Sequence, residues 1–229
     1  MAILSLLIRT PATPAQFIII GCIIFAVFVY NYYFSRSAIV KRKLRNTGAK
    51  KMSEFRNGDV AKVAGTIKYA GKTLTAPLSG RKCVYYSILV EEKSGGKNSH
   101  WSTIIEEEVS ADVVIADGNH YATINTRLVK SHLIPDSQYF SGFLNDPTEE
   151  MERYLARHNK DSTSLFGFNR SLRYSEGVLE QGEIVTVVGK GYWKKKALTK
   201  LSLPSENVLE LGPDTDTSEP VYFTDDPGV

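Results

Sequence analysis

Residues 83–92 read CVYYSILVEE, and this stretch is apolar on both faces of a strand. Successive side chains of a β-strand point to opposite faces. One row would hold Val84, Tyr86, Ile88 and Val90, and the other Cys83, Tyr85 and Leu89. Two apolar rows predict a central strand that is covered on both sides. The polar residues 93–98 predict a loop, and the alternation at Trp101, Thr103 and Ile105 predicts a returning strand, hence a hairpin.

Similar patterns lie on either side of this run. Before it, residues 61–67 alternate between apolar and polar side chains, which predicts a half-buried strand. After it, residues 109–116 and 121–124 flank Asp117-Gly118-Asn119, and this tripeptide is a strong hairpin signal. Further short strands are predicted at residues 172–179, 182–188 and 198–203.

One helix is expected among these strands. Residues 147–159 place Met151, Tyr154 and Leu155 at helical spacing, and glutamates precede them, where negative charge favours a helix N-terminus. Short strands separated by turns, with a single short helix, predict a mainly β domain. We expect a small β-barrel or sandwich, and specifically an OB-like barrel, because closing the sheet limits open edges.

A charge-free apolar run occupies residues 15–34. About twenty such residues suffice to cross the hydrocarbon core of a bilayer as a helix. The run therefore predicts a single transmembrane helix that precedes the β domain, with Tyr30, Tyr32 and Tyr33 at the membrane interface. A cleaved signal peptide is the main alternative, but its positive charges would precede the run. A buried core helix would need a polar face, which this run lacks.

Cations cluster on the C-terminal side of the run. They are Arg36, Lys41, Arg42, Lys43, Arg45, Lys50 and Lys51, whereas Arg9 alone lies before the run. The positive-inside rule then predicts a single-pass membrane protein with its N-terminus outside and its C-terminal domain in the cytoplasm. The same cations could contact anionic headgroups of the lipid bilayer or simply be solvated.

The expected organisation has five parts. They are a short N-terminal tail at 1–14, the transmembrane helix at 15–34, a basic juxtamembrane segment at 35–56, the β-rich domain at 57–212 and a flexible tail at 213–229. The tail is assigned from its abundance of Pro, Asp, Thr and Ser. A net charge of +3 indicates no strongly polyanionic partner. Cys22 and Cys83 cannot form a disulfide framework, which is consistent with a reducing compartment.

No residue pattern points to catalysis, a metal or a cofactor. His100, His120, His132 and His158 lack ligand spacing. Residues 189–191 (GKG) lack the spacing of a phosphate loop, and the glutamates 106–108 would point alternately to opposite faces of a strand. Trp101, Tyr192 and Trp193 could stack on single-stranded nucleic acid, although aromatic residues of a β domain are more often core. We therefore expect no enzyme and regard nucleic acid as a weak candidate partner.

Residues 74–86, LTAPLSGRKCVYY, resemble the "APLSGxxCVYY" core of the GIDE domain, also called BAM or MULAN. Residues 58–67 resemble the opening strand of that family, and residues 173–183 resemble its "RYxExxLxPGE" segment. The family includes mitochondrial membrane-anchored RING ubiquitin ligases and shorter prokaryotic proteins. The matching positions are Pro77, Leu78, Ser79, Gly80, Cys83, Tyr85, Tyr86, Arg173, Tyr174, Glu176, Gly182 and Glu183.

The motif can be interpreted as structural or as partner-binding. Pro77 and Gly80 favour a turn into the Cys83 strand, and Tyr85 and Tyr86 would pack into different layers. A RING needs about eight Cys or His ligands. No cysteine follows Cys83, so the resemblance does not carry ubiquitin transfer to this chain. The resemblance also implies an intermembrane-space domain in the mitochondrial ligases, in conflict with the basic flank.

These observations predict a single-pass, membrane-anchored binding or scaffold module that is non-catalytic on its own. Its expected partners are the lipid bilayer and another membrane or cytoplasmic protein. One alternative is a RING-less component of a ubiquitin-ligase-like system, and a second is an OB-like nucleic-acid binder.

Overall fold

A computed structural model describes residues 14–95, 99–142, 145–163, 169–199 and 201–229, and it leaves out the side chains of residues 14, 15, 31 and 32. The expected N-terminal tail thus lies outside the described residues except for Pro14. Most of the glycine-rich loop at 96–98 and the side chain of Tyr32 also lie outside them. The chain divides into two compact units, residues 1–39 and residues 40–229.

Within these described ranges there are three α-helices: α1 (Pro14–Phe34), α2 (Arg36–Asn46) and α3 (Glu149–Arg157). Short 3-10 turns lie at Met52–Glu54 and Lys196–Leu198. In α1 the described side chains cover residues 16–30 and 33–34, and its large apolar side chains are exposed. Over the described residues, no helix combines the length and the apolar character that a membrane crossing needs.

The part of the chain that the structure describes also contains thirteen strands. In chain order they are β1 (Val60–Lys68), β2 (Leu74–Thr75), β3 (Lys82–Cys83), β4 (Tyr85–Lys93), β5 (Trp101–Ser110), β6 (Val114–Asp117), β7 (His120–Ile124), β8 (Val129–His132), β9 (Ser137–Ser141), β10 (Leu172–Leu179), β11 (Ile184–Lys195), β12 (Asn207–Gly212) and β13 (Val221–Thr224).

Five of these strands form a closed barrel in the order β1-β6-β7-β12-β11, with β11 pairing back to β1. Within the barrel only β7 and β12 run parallel. Strand β13 pairs with β11 beside the barrel, and β8 pairs with β13 in parallel. The expected mainly β fold is therefore confirmed, and of the two expected forms the structure has the barrel.

A second, four-stranded antiparallel sheet has the order β5-β4-β10-β9. The predicted hairpin is confirmed, because Trp101 of β5 pairs with Lys93 of β4. Helix α3 begins after Thr148, whose side-chain oxygen accepts a hydrogen bond from the backbone N–H of Met151. A side-chain oxygen there satisfies an amide that the first turn leaves unpaired.

The domain has two main hydrophobic cores, and adjacent tyrosines contribute to different ones. Tyr85 lies in the barrel core, where its ring meets Phe223 edge-on with 4.9 Å between centroids. Tyr86 lies in the sheet core with Tyr154 and Leu155 of α3. The prediction that the two tyrosines pack into different layers is thereby confirmed. Val84 packs in the barrel core and not with Tyr86, because the strand is interrupted by a bend at Val84 between β3 and β4.

The predicted flexible tail at 213–229 is contradicted by strand β13. Val221 and Phe223 are fully buried in the barrel core, and β13 is paired on both edges. The segment 213–229 is rich in Pro, Asp, Thr and Ser, so its overall composition does not reveal this short strand. The domain also begins earlier than residue 57, because Val40, Leu44 and Met52 of the expected basic segment are fully buried.

Two smaller expectations also differ from the structure. The strand predicted at 182–188 runs instead from Ile184 to Lys195 as β11, so residues 189–191 lie within it. Glycine is needed there, because a Cβ at Gly191 would come within 2.6 Å of Phe55. Residues 109–116 are not one strand, since β5 ends at Ser110 and β6 begins at Val114.

Candidate functional site

The residues that resemble the GIDE core come from two stretches of the sequence, 77–86 and 173–183, and the structure places these stretches side by side. The turn between β2 and β3 contains Pro77, Leu78, Ser79 and Gly80. Strand β3 ends at Cys83, and β4 begins with Tyr85 and Tyr86. Strand β10 carries Arg173, Tyr174 and Glu176, and the turn before β11 contains Gly182 and Glu183. We call residues 77–80 the motif turn.

Glu176 holds the motif turn from below. Its two carboxylate oxygens accept hydrogen bonds from the backbone N–H groups of Leu78 and Ser79, at 2.9 and 3.0 Å. The Glu176 side chain is almost fully buried. Burial of a carboxylate is costly unless hydrogen bonds replace its water. The contact therefore fixes the turn, and Gly80 completes it at a φ of +69°, which favours glycine.

Arg81 fixes the other end of the motif turn. Its guanidinium donates to both carboxylate oxygens of Glu180, at 2.9 and 2.6 Å, and its Nη1 lies 3.4 Å from Asp136. The hydrogen bond to Glu180 raises the pKa of Arg81. Glu183 closes the neighbouring turn by accepting from the backbone N–H of Glu180, and burial raises the pKa of Glu183. These bonds lock the motif turn to the end of β10.

The remaining motif residues are structural in the same way. Arg173 donates to Glu91 at 2.7 Å, and its guanidinium lies 4.6 Å from the ring centroid of Trp101. Tyr174 is fully buried in the sheet core. Cys83 is fully buried, and this desolvation raises the pKa of its thiol to about 11. A thiol of that pKa is a poor nucleophile at neutral pH, so Cys83 contributes to the sheet core as a small buried side chain.

A cleft opens between the motif turn and α3, with a volume of about 620 Å³. One wall is formed by Ala76, Pro77 and Gly80, and the other by Glu150, Arg153 and Arg157. The guanidinium of Arg157 lies 5.2 Å from the ring centroid of Tyr154. The Tyr154 hydroxyl in turn donates to Glu107 at 3.0 Å.

The sequence contains one signal for this cleft, and it lies outside the GIDE-like motif. Arg153 and Arg157 are four residues apart, so on a helix they share one face. The apolar spacing that predicts α3 does not involve these arginines. Their closeness to the motif turn follows only from the fold.

The basic flank is partly engaged by the β domain. On α2, Lys41 pairs with Asp226 at 2.7 Å and Lys43 with Glu219 at 3.1 Å. Each pairing lowers the pKa of the carboxylate concerned. Arg42 and Arg45 are exposed, whereas Arg36 is half-buried. Of the interface aromatics, Tyr30 and Tyr33 are exposed, and the Tyr30 ring stacks on Phe34.

Other candidates do not form a reactive centre. Among the residues described, no group of three or more His, Cys, Asp or Glu side chains could hold a metal ion. Glu107 and Glu108 point to opposite sides, as expected, because one contacts Tyr154 and the other accepts from Ser131. Trp101 and Trp193 lie on different sheets, so they do not form a common stacking platform.

Comparison with family models, with curated proteins and with solved structures finds no match for this chain. The resemblance to the GIDE domain therefore stays a prediction.

Proposed function

We propose that this chain is a membrane-tethered binding module, in which α1 enters the lipid bilayer and an OB-like barrel domain recruits a partner. The observation that carries the proposal is the exposed apolar surface of α1. Phe17, Phe25 and Phe28 are each about two-thirds exposed, at 65%, 68% and 67%. Large contiguous apolar surfaces of this kind mark sites that meet a membrane or a protein.

The basic residues after α1 support the direction of the tether. Arg42 and Arg45 are exposed on the side where anionic headgroups would lie, while Lys41 and Lys43 bind carboxylates of the β domain. A cationic flank on one side of an apolar helix favours retention of that side in the cytoplasm. We therefore propose a cytoplasmic β domain.

The connectivity of the barrel supports the OB-like assignment. Numbered along the chain, its five strands have the spatial order 1-2-3-5-4-1, with the third and fifth parallel. Helix α3 lies between the third and fourth barrel strands. A five-stranded Greek-key barrel of this kind commonly presents ligand-binding surfaces on its strands and connecting loops. A binding module is therefore the function class that the geometry favours.

Alkaline carbonate extraction of membranes from cells that express the full chain tests the tether. We expect the protein to stay in the membrane pellet and to enter the supernatant only with detergent. The variant Ile19→Lys/Ile23→Lys should be released, because each lysine opposes insertion by about 2.5–3.5 kcal/mol. The matched control Ile19→Leu/Ile23→Leu should stay in the pellet. Release of the unsubstituted protein by carbonate would refute the tether.

Protease protection of sealed, right-side-out membranes tests the direction. We expect the β domain to resist protease until the membrane is opened. Digestion in intact vesicles would place the domain on the other side.

Nucleic-acid binding is a second candidate, because OB-like barrels include binders of oligonucleotides. The separation of Trp101 from Trp193 and the pairing of Lys194 with Glu210 weigh against it. Titration of the full chain with an oligothymidine at low and moderate salt decides the matter. Binding that weakens steeply with salt would support this candidate, and an absence of binding at low salt would remove it.

A further inference from the structure

We propose that the cleft between the motif turn and α3 is a binding site for a phosphate monoester with a small apolar body, held by Arg153 and Arg157. The inference deepens the proposed binding function by naming a ligand class, and it is independent of the membrane tether. Pro77 and Gly80 of the motif turn line this cleft, but the turn is occupied by its own hydrogen bonds to Glu176. The groups that would bind a charged ligand are therefore the arginines of α3.

The charge of the cleft favours an anion. Two guanidinium groups, of Arg153 and Arg157, line the cleft together with one carboxylate, that of Glu150. Guanidinium presents a planar fork of donors that matches the oxygens of phosphate or carboxylate. A doubly charged phosphate can engage both arginines at once, whereas a single carboxylate cannot neutralise the two of them.

The two arginines are in different states in this structure. Arg153 pairs with Glu150 at 2.8 Å, and both side chains are well exposed, at 70% and 47%. Exposed pairs of this spacing contribute little free energy. Arg157 instead lies against the face of Tyr154, and this contact positions its guanidinium group. Glu150 thus acts as a weak internal competitor for the anion.

The opposite wall is held in place and offers one apolar side chain. Pro77 is half-buried and provides the apolar surface beside Thr75 and Gly80, while the bonds of Glu176 and Arg81 fix the turn that carries it. A wall that does not move on binding avoids the entropy cost of ordering a loop. A volume of about 620 Å³ lies within the range of small-molecule sites. The ligand therefore combines one compact phosphate with an apolar group that packs on Pro77.

Titration with phenyl phosphate tests the site. The full chain, in nonionic detergent micelles, carries ¹⁵N-labelled arginine, and the Nε–Hε signals of Arg153 and Arg157 are followed. We expect saturable shifts of both signals. Inorganic phosphate should bind more weakly because it lacks the apolar body, and benzoate more weakly because it carries one charge.

Three variants sharpen the test. Arg153→Gln and Arg157→Gln should each weaken binding of phenyl phosphate by about tenfold or more, as expected for loss of a charge-assisted hydrogen bond. Glu150→Gln should strengthen it by about two- to fivefold, because it removes the competitor. Arg127→Gln is the matched control, since Arg127 is exposed and does not line the cleft.

Several outcomes would overturn the inference. They are shifts that do not saturate, equal weakening by the Arg127 and Arg157 variants, weaker binding by the Glu150 variant, or benzoate binding as tight as that of phenyl phosphate. None of these outcomes bears on carbonate extraction, so a failed cleft and a failed tether are distinguishable.

Discussion

The barrel and the four-stranded sheet solve the same packing problem in different ways. The barrel closes on itself through the pairing of β1 with β11, and its core is built mainly by strands, with Met52 of a 3-10 turn and Phe55 added to it. The sheet stays open, and its core is completed by Met151, Tyr154 and Leu155 of α3. Closure removes edges and spreads stability over every strand. The open layer depends on one short helix, and the proposed ligand cleft lies beside that helix.

The largest expected loss of stability comes from substituting two adjacent tyrosines that lie in different cores. Tyr85→Ala should cost about 3–5 kcal/mol in the free energy of unfolding, because it empties a site enclosed by the barrel. Tyr86→Ala should cost less, since Tyr86 keeps some exposure, 8% against 1% for Tyr85. Urea unfolding gives both values, and native-state hydrogen exchange locates the loss. We expect weakened protection in β1 and β11 for the first variant and in β4 and β10 for the second.

Tyr85→Phe provides the control for the first variant. It removes only the hydroxyl, which donates to Ser131 at 3.1 Å, and should cost about 0.5–1.5 kcal/mol. Equal loss of protection in both layers for both alanine variants would mean that the two cores form one cooperative unit.

An intermediate loss of stability is expected when the residue that holds the motif turn against the four-stranded sheet is substituted. Glu176→Gln replaces one carboxylate oxygen with a donor that faces the N–H of Leu78 or Ser79. An unsatisfied buried amide costs about 1–3 kcal/mol, and we expect that loss of stability in urea unfolding. Hydrogen exchange at Leu78 and Ser79 should rise in this variant.

The matched variant Glu180→Gln should cost less, because Glu180 is partly exposed and Arg81 retains Asp136. If Glu180→Gln proved the more damaging of the two, Arg81 rather than Glu176 would be the main support of the turn.

The smallest effect concerns the contacts between α2 and the C-terminal segment. The pKa of Glu219 is lowered by its bonds to Lys43 and Tyr222, and that of Asp226 by Lys41. A carboxylate with a lowered folded-state pKa stabilises the fold above its unfolded pKa, here 4.5 and 3.8, and this stabilisation is lost as the pH falls through the folded-state value. Lys43→Met should therefore cost less than about 1 kcal/mol at pH 7, because both partners are partly exposed.

Urea unfolding of Lys43→Met and of the unsubstituted chain across pH 3 to 7 measures this difference. The two curves should converge toward pH 3. A constant gap at all pH values would show that Lys43 acts through the packing of its stem and not through its charge.

Local patterns in the sequence predict much of the barrel and little of its closure. The alternation of residues 61–67 and the Asp117-Gly118-Asn119 turn place β1 and the β6–β7 hairpin, because these signals depend on neighbouring residues. Strand β13 escapes prediction, since its four residues gain their partners from β8 and β11, far away in sequence. The same holds for residues 189–191, where glycine reflects the close approach of Phe55.

The candidate site divides similarly. Pro77 and Gly80 predict a turn from their own backbone preferences, and the structure has one there. The clamp of that turn by Glu176 joins residues 97 and 98 positions apart, which no local pattern encodes. The cleft likewise exists only because the fold brings α3 to the motif turn.

The ion pair between Lys41 and Asp226 has a consequence for how this domain could be rebuilt. It places the first and the last turns of the domain within reach of one another. A short peptide could join them, and new ends could be opened at the Gly118 hairpin tip, where a Cβ would meet no neighbouring atom. Such a circular permutant would keep every strand pairing while moving the two ends of the domain to the turn between β6 and β7.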